Sequence, residues 1–95
     1  FKIKNDIVSI ALFGSALQGL KVGSDVDFII LYKKLKKNIY EISSELTEKF
    51  GFRISILAMD VNEFKLKAKR GEEFIINILA NHKTIYGRDI EDLVW

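Results

Sequence analysis

Residues 25–32 read DVDFIILY: two acids one residue apart, then an apolar run through Phe28, Ile29, Ile30 and Leu31. Branched and aromatic residues in an unbroken run predict a β-strand. Side chains on a strand alternate faces, so a run without polar interruption fits a strand buried on both sides. Residues 7–13 (IVSIALF) form a second such run, which stops at Gly14. Two buried strands of this kind imply a sheet packed against other layers.

The remaining pattern is mostly helical. Residues 15–21 predict a short helix opening at Ser15, a natural N-cap, although Gly19 and Gly23 weaken it. In residues 37–50, Ile39, Ile42, Leu46 and Phe50 fall on one helical face, and Gly51 ends it as a left-handed cap. Residues 52–59 predict a third strand. Asp60 caps the next helix, with Glu63 as its capping-box partner. That helix carries Val61, Phe64 and Ala68 and stops near Gly71. Another follows, with Phe74, Ile75, Ile78 and Leu79 on one face. Residues 83–86 predict a short last strand before Gly87, and the tail to Trp95 reads as a helix or a docking segment. The expected class is α/β (α+β): a small mixed β-sheet packed against helices, in the order β-α-β-α-β-α-α-(β). No repeat or linker divides the chain, so residues 1–95 read as one domain.

Composition narrows the function classes. Hydrophobic residues make up 48% and charged residues 29% of the chain, a globular balance that argues against disorder. With no cysteine, disulfides and thiolate metal sites are excluded. No apolar run approaches the roughly 18 residues of a membrane-spanning helix. No signal peptide is visible, and the expected location is cytoplasmic. A net charge of +2 tolerates anionic substrates but is too small to argue for nucleic-acid binding. Lys33, Lys34, Lys36 and Lys37 read as a solvated loop or, alternatively, as a patch that tracks phosphates. The chain starts at Phe1 rather than Met, which suggests a trimmed N-terminus or a piece of a longer protein.

The residues able to carry chemistry flank the two strands. Gly14-Ser15 stands where a strand ends and a helix begins, a place where backbone N–H groups can hold a phosphate. Glycine lets the backbone approach such a ligand closely. The alternative is a plain turn. Asp25 and Asp27 project from the same side of their strand, and carboxylates so close repel unless a cation lies between them. Mg²⁺ takes oxygen ligands of this kind, commonly one or two carboxylates plus substrate phosphates. The alternative is a solvated strand start. Ser24 can hydrogen-bond locally there. His82, the only histidine, reads as a packed or half-exposed structural residue, and no zinc site is supported. Tyr40, Tyr86 and Trp95 could stack a base, or serve in packing.

The pattern hydrophobic-Gly14-Ser15, nine residues, Asp25-hydrophobic-Asp27-hydrophobic resembles the signature of the DNA polymerase β nucleotidyltransferase superfamily, and this short chain is similar to its minimal (MNT-type) members. The resemblance implies transfer of an NMP group from an NTP to an acceptor hydroxyl by two-metal chemistry with Mg²⁺, Mn²⁺ being the alternative ion. It implies that Gly14, Ser15 and Ser24 bind the nucleotide, with Lys21 as a further triphosphate contact. Asp25 and Asp27 would be both catalytic and metal-holding. It also implies, as partners, an NTP substrate and a helical HEPN-type protein of a toxin–antitoxin pair, and it allows a homo-oligomer.

Two departures stand against full activity. Members usually supply a third carboxylate from a later strand, and Arg53, Ser55 and Leu57 share the relevant face of residues 52–59 with no acid among them. Ser55 stands about where the acid belongs. Asp60 and Glu63 lie just beyond and are explained by capping. The stretch Ala16-Leu17-Gln18-Gly19 also lacks an Arg that relatives often carry. The rival expectation is therefore a catalytically impaired nucleotide- or partner-binding module, antitoxin-like or part of a larger regulator.

Overall fold

The computed structural model describes residues 7–14, 17, 19, 25–33, 39–51 and 53–94, and of residues 39, 40, 42, 43, 46 and 50 the backbone only. The elements are β1 (Ile7–Phe13), β2 (Asp25–Tyr32), α1 (Ile39–Phe50), β3 (Arg53–Asp60), α2 (Val61–Lys69), α3 (Glu73–Ala80), β4 (Lys83–Gly87) and α4 (Ile90–Val94). The expected last strand is present, and the tail forms a helix. The helix expected at 15–21 falls largely outside the described residues; Gly14 and Leu17 have 3₁₀-turn geometry. The third strand runs to Asp60, one residue beyond its expected end.

The strands form one mixed sheet in the order β3-β2-β1-β4. β1 runs antiparallel to both β2 and β4, whereas β2 and β3 are parallel. Parallel neighbours need a long crossover, and α1, which packs against β3, lies within it. The central position of β2 explains its unbroken apolar run, because both its edges are paired and both its faces are covered. Val26, Phe28 and Ile30 join Ile7 and Ile10 on one face. Ile29 and Leu31 join Ala11 and the buried residues of α2, α3 and α4 on the other.

β1 changes faces partway. Ile7 shares a cluster with Ile10, and Val8 packs against the cluster of Ala11, although strict alternation would separate each pair. The irregularity in pairing between Ile7 and Ser9 supplies the extra residue that shifts the phase. It leaves the Ser9 hydroxyl fully buried without a hydrogen-bond partner among the described residues.

The helical layer follows the expected pattern at α2, where Val61, Phe64 and Ala68 are buried. On α3, Ile75, Ile78 and Leu79 are buried, but Phe74 is 54% exposed. It lies off the buried stripe and meets the Phe13 ring edge-on, with centroids 6.0 Å apart. At the far edge β4 crosses close to β1. Gly87 has φ +75, and a Cβ there would collide with the Val8 carbonyl oxygen. The next residue, Arg88, donates its backbone N–H to that same oxygen at 3.2 Å.

Candidate functional site

Asp25 and Asp27 begin β2 on the face that carries Ile29 and Leu31. Burial along that face rises from exposed at Asp25, through half-buried at Asp27, to complete at Ile29. The acids therefore stand where the sheet emerges from beneath the helices, as carboxylates must when no buried partner compensates their charge.

β3 lines one side of the pair. In the parallel register Asp25 stands beside Arg53, and Asp27 beside Ser55, so Ser55 occupies the position inferred for a third acid. Arg53 Nη1 lies 3.9 Å from Asp25 Oδ1, with the two side chains 84% and 62% exposed. A pair so washed by solvent contributes at most about 1 kcal/mol, so Arg53 can leave Asp25 at little cost. Asp60 pairs with Tyr32 at the other end of β3, about 16 Å along the strand from Ser55. Its carboxylate accepts the Asn62 N–H at 2.7 Å and caps α2. Among the described residues, no three His, Cys, Asp or Glu side chains cluster so as to hold a metal ion.

β1 lines the other side. Phe13 is the Cα partner of Asp27, and Gly14 follows it with φ +80. A Cβ at Gly14 would lie 2.8 Å from Asp27 Oδ2. Glycine is required here twice: for the left-handed backbone, and to leave room for the carboxylate. The turn and the acid, thirteen residues apart in the chain, thus meet in space. Ser15, Lys21 and Ser24 lie outside the described residues, as do Lys34, Lys36, Lys37 and the side chains of Tyr40 and Trp95.

A cleft of about 500 Å³ opens beside this turn. Phe13, Gly14 and Leu17 form one wall; Phe74, Asn77 and Ile78 of α3, with Asn81 just past its end, form the other. Sequence reasoning passed over the two asparagines. No periodic signal marks them, because Asn77 lies on α3 whereas Asn81 stands just past its end with extended backbone.

His82 is built into the structure rather than the site. Its side chain is 7% exposed, and Nε2 lies 2.7 Å from Asp89 Oδ1. Nδ1 faces the carbonyl oxygens of Ile78 and Leu79 at 3.1 and 3.2 Å. Asp89 also accepts the Glu91 N–H at 3.0 Å, at the start of α4. This last hydrogen bond, followed by that of His82, holds the Asp89 carboxyl below its ordinary value. The lone histidine thus ties the end of α3 to the start of α4, as a packed structural residue would.

The donor set at the strand start suits one hard cation shared with the phosphates of a ligand, because both side chains offer carboxylate oxygens from one face. It does not form a complete cage by itself. Comparison with known proteins bears on the family and the fold. Residues 1–91 match the family described as Polymerase beta, Nucleotidyltransferase. A protein of Methanocaldococcus jannaschii named for protein adenylyltransferase activity is 33% identical over 96 aligned positions. That alignment covers 93% of this chain and 64% of the relative, so the chain spans just under two thirds of the relative's length. Among solved structures, a toxin–antitoxin crystal structure with AMP-PNP has a TM-score of 0.64 at 21% identity, covering 96% of this chain and 71% of that one. A complex of a tri-AMPylated Shewanella oneidensis HEPN toxin with an MNT antitoxin gives 0.58 at 16% identity, covering 96% and 67%. At those identities the solved structures share the fold. The motif at Gly14, Asp25 and Asp27, the mixed sheet that unites it and the match across residues 1–91 lead to one conclusion: the chain belongs to the Polymerase beta, Nucleotidyltransferase family.

Proposed function

We propose that the chain is a nucleotidyltransferase domain that binds an NTP and Mg²⁺ at Gly14, Ser15, Ser24, Asp25 and Asp27, and passes the NMP group to an acceptor hydroxyl. The observation that carries this reading is the near-contact of the Gly14 turn with the Asp27 carboxylate. It sets a backbone turn able to receive phosphate against an acid able to hold the accompanying cation. Asp25 and Asp27 would hold the divalent ion, whose charge would offset that of the phosphates. Gly14 and Ser15 orient the triphosphate so that the acceptor oxygen lies in line with the leaving pyrophosphate. The acceptor oxygen then bonds to the α-phosphorus, the bond to pyrophosphate breaks, and the hydroxyl proton passes to a carboxylate or to water.

The acceptor we favour is a protein side chain, on the analogy of the relative named for protein adenylyltransferase activity. A HEPN-type partner is the corresponding proposal from the toxin–antitoxin neighbours. The setting proposed for such a pair is cytoplasmic; among the described residues, no helix is long and apolar enough to cross a membrane.

A second reading is favoured by β3. With Ser55 beside Asp27 and Arg53 beside Asp25, the strand offers no acid at the site, and the chain could bind nucleotide without turnover. Incubation with labelled NTPs, Mg²⁺ or Mn²⁺ and candidate partners separates the two, with an Asp25→Asn/Asp27→Asn variant alongside. Transfer that is lost in the variant establishes the enzyme. Metal-dependent NTP binding without transfer leaves the binding module, and absence of such binding refutes both.

A further inference from the structure

Resting on the nucleotide site just proposed, we infer that the cleft between the Gly14 turn and α3 takes the nucleobase, and that Asn77 and Asn81 read its polar edge. β1 and β3 lie on opposite sides of β2, so Asp27 is flanked by Phe13 on one side and Ser55 on the other. A ligand whose phosphates lie at Gly14 and Asp27 can extend its remaining part in either direction. On the β3 side Arg53 and Ser55 are both exposed among the described residues. The β1 side is walled, with about 500 Å³ of space and Gly14 itself in the lining. Small-molecule sites are concave and mostly apolar, with few polar groups placed to fix orientation. This cleft has that character: Phe13, Phe74 and Ile78 are its apolar surfaces, and the exposed Asn77 and Asn81 supply amides.

The chemistry matches a base. A nucleobase is a flat ring with apolar faces and an edge of alternating donors and acceptors. Each Asn amide offers both a donor and an acceptor, which can pair with neighbouring groups on such an edge. Phe74 is 54% exposed at the rim of the cleft, with its ring roughly perpendicular to that of Phe13. An aromatic left so exposed gains burial when a base docks against it. The β3 side then remains for the acceptor.

The test is calorimetric titration of the 95-residue chain with ATP, GTP, CTP and UTP, and with inorganic triphosphate, each in Mg²⁺. Wild type should bind at least one NTP more tightly than triphosphate and should distinguish among the bases. Asn77→Ala/Asn81→Ala should weaken that NTP about 10-fold and flatten the preference, while triphosphate binding holds. Phe74→Ala, a change at a largely exposed position, should weaken all four NTPs by about 10-fold. If NTPs and triphosphate bind wild type equally, or the variants alter both or neither, the cleft is not the base site although the phosphate site stands. If neither NTP nor triphosphate binds, this inference and the nucleotide site fall together.

Discussion

At the scale of single residues, Gly14 and Asp27 depend on each other. Gly14→Ala must force a side chain into a left-handed backbone and push the Asp27 carboxylate aside. Strain of this kind costs about 1–3 kcal/mol, so Mg²⁺-dependent NTP affinity should drop by about 10-fold or more in calorimetry. Arg53→Ala provides the contrast. Its ion pair with Asp25 is nearly fully solvated, and the melting transition should stay within about 0.5 kcal/mol of wild type. The acids themselves were legible in the sequence, since two aspartates opening an apolar strand violate strand preference and call for a reason. Ser55 was legible too, because a parallel register preserves the alternation on which its alignment rested. Asn77 and Asn81 were not recognised, because their relevance comes from the β1 turn that faces them across the cleft.

At the scale of elements, the structure depends on how β4 and α4 are fastened. Gly87→Ala would drive a methyl group into the Val8 carbonyl at the β1–β4 crossing, and should destabilise the fold by more than about 1 kcal/mol in urea unfolding. The His82–Asp89 tie fastens the next turn of chain. His82→Ala should cost about 1–3 kcal/mol, because it removes the buried ring that bridges the end of α3 to Asp89. Its acid dependence has a definite sign. The Asp89 carboxyl lies below its ordinary value of 3.8 when folded, so the native state favours the ionised form. That stability is present above pH 3.8 and is lost as pH falls through the lowered folded value. Urea midpoints of wild type and Asp89→Asn should therefore converge on acidification below 3.8. The capping of α2 by Asp60 could be read from the sequence, though the bond runs to the Asn62 N–H, two residues on. The tie could not, since a histidine and an aspartate seven residues apart meet only because β4 turns between them.

At the scale of the whole molecule, one helical layer holds the sheet on the face of the candidate site. Phe64 lies at its centre with no exposed surface, among residues of β2, β3, α3 and α4. Phe64→Ala should cost about 3–5 kcal/mol, a large share of the roughly 5–15 kcal/mol that stabilises a domain, and should lower the thermal midpoint sharply in calorimetry. Hydrophobic periodicity alone determined the class of fold, the central buried strand, the buried stripe of α2 and the placement of both aspartates on one face. These are local properties, fixed by the geometry of strand and helix. Tertiary structure decided what meets them: the Gly14 turn against Asp27, the cleft that opens beside that turn, and the distance of Asp60 at the far end of β3. Pairing between distant strands is set by side-chain packing across the sheet and by loop closure, neither of which leaves a periodic mark in the chain.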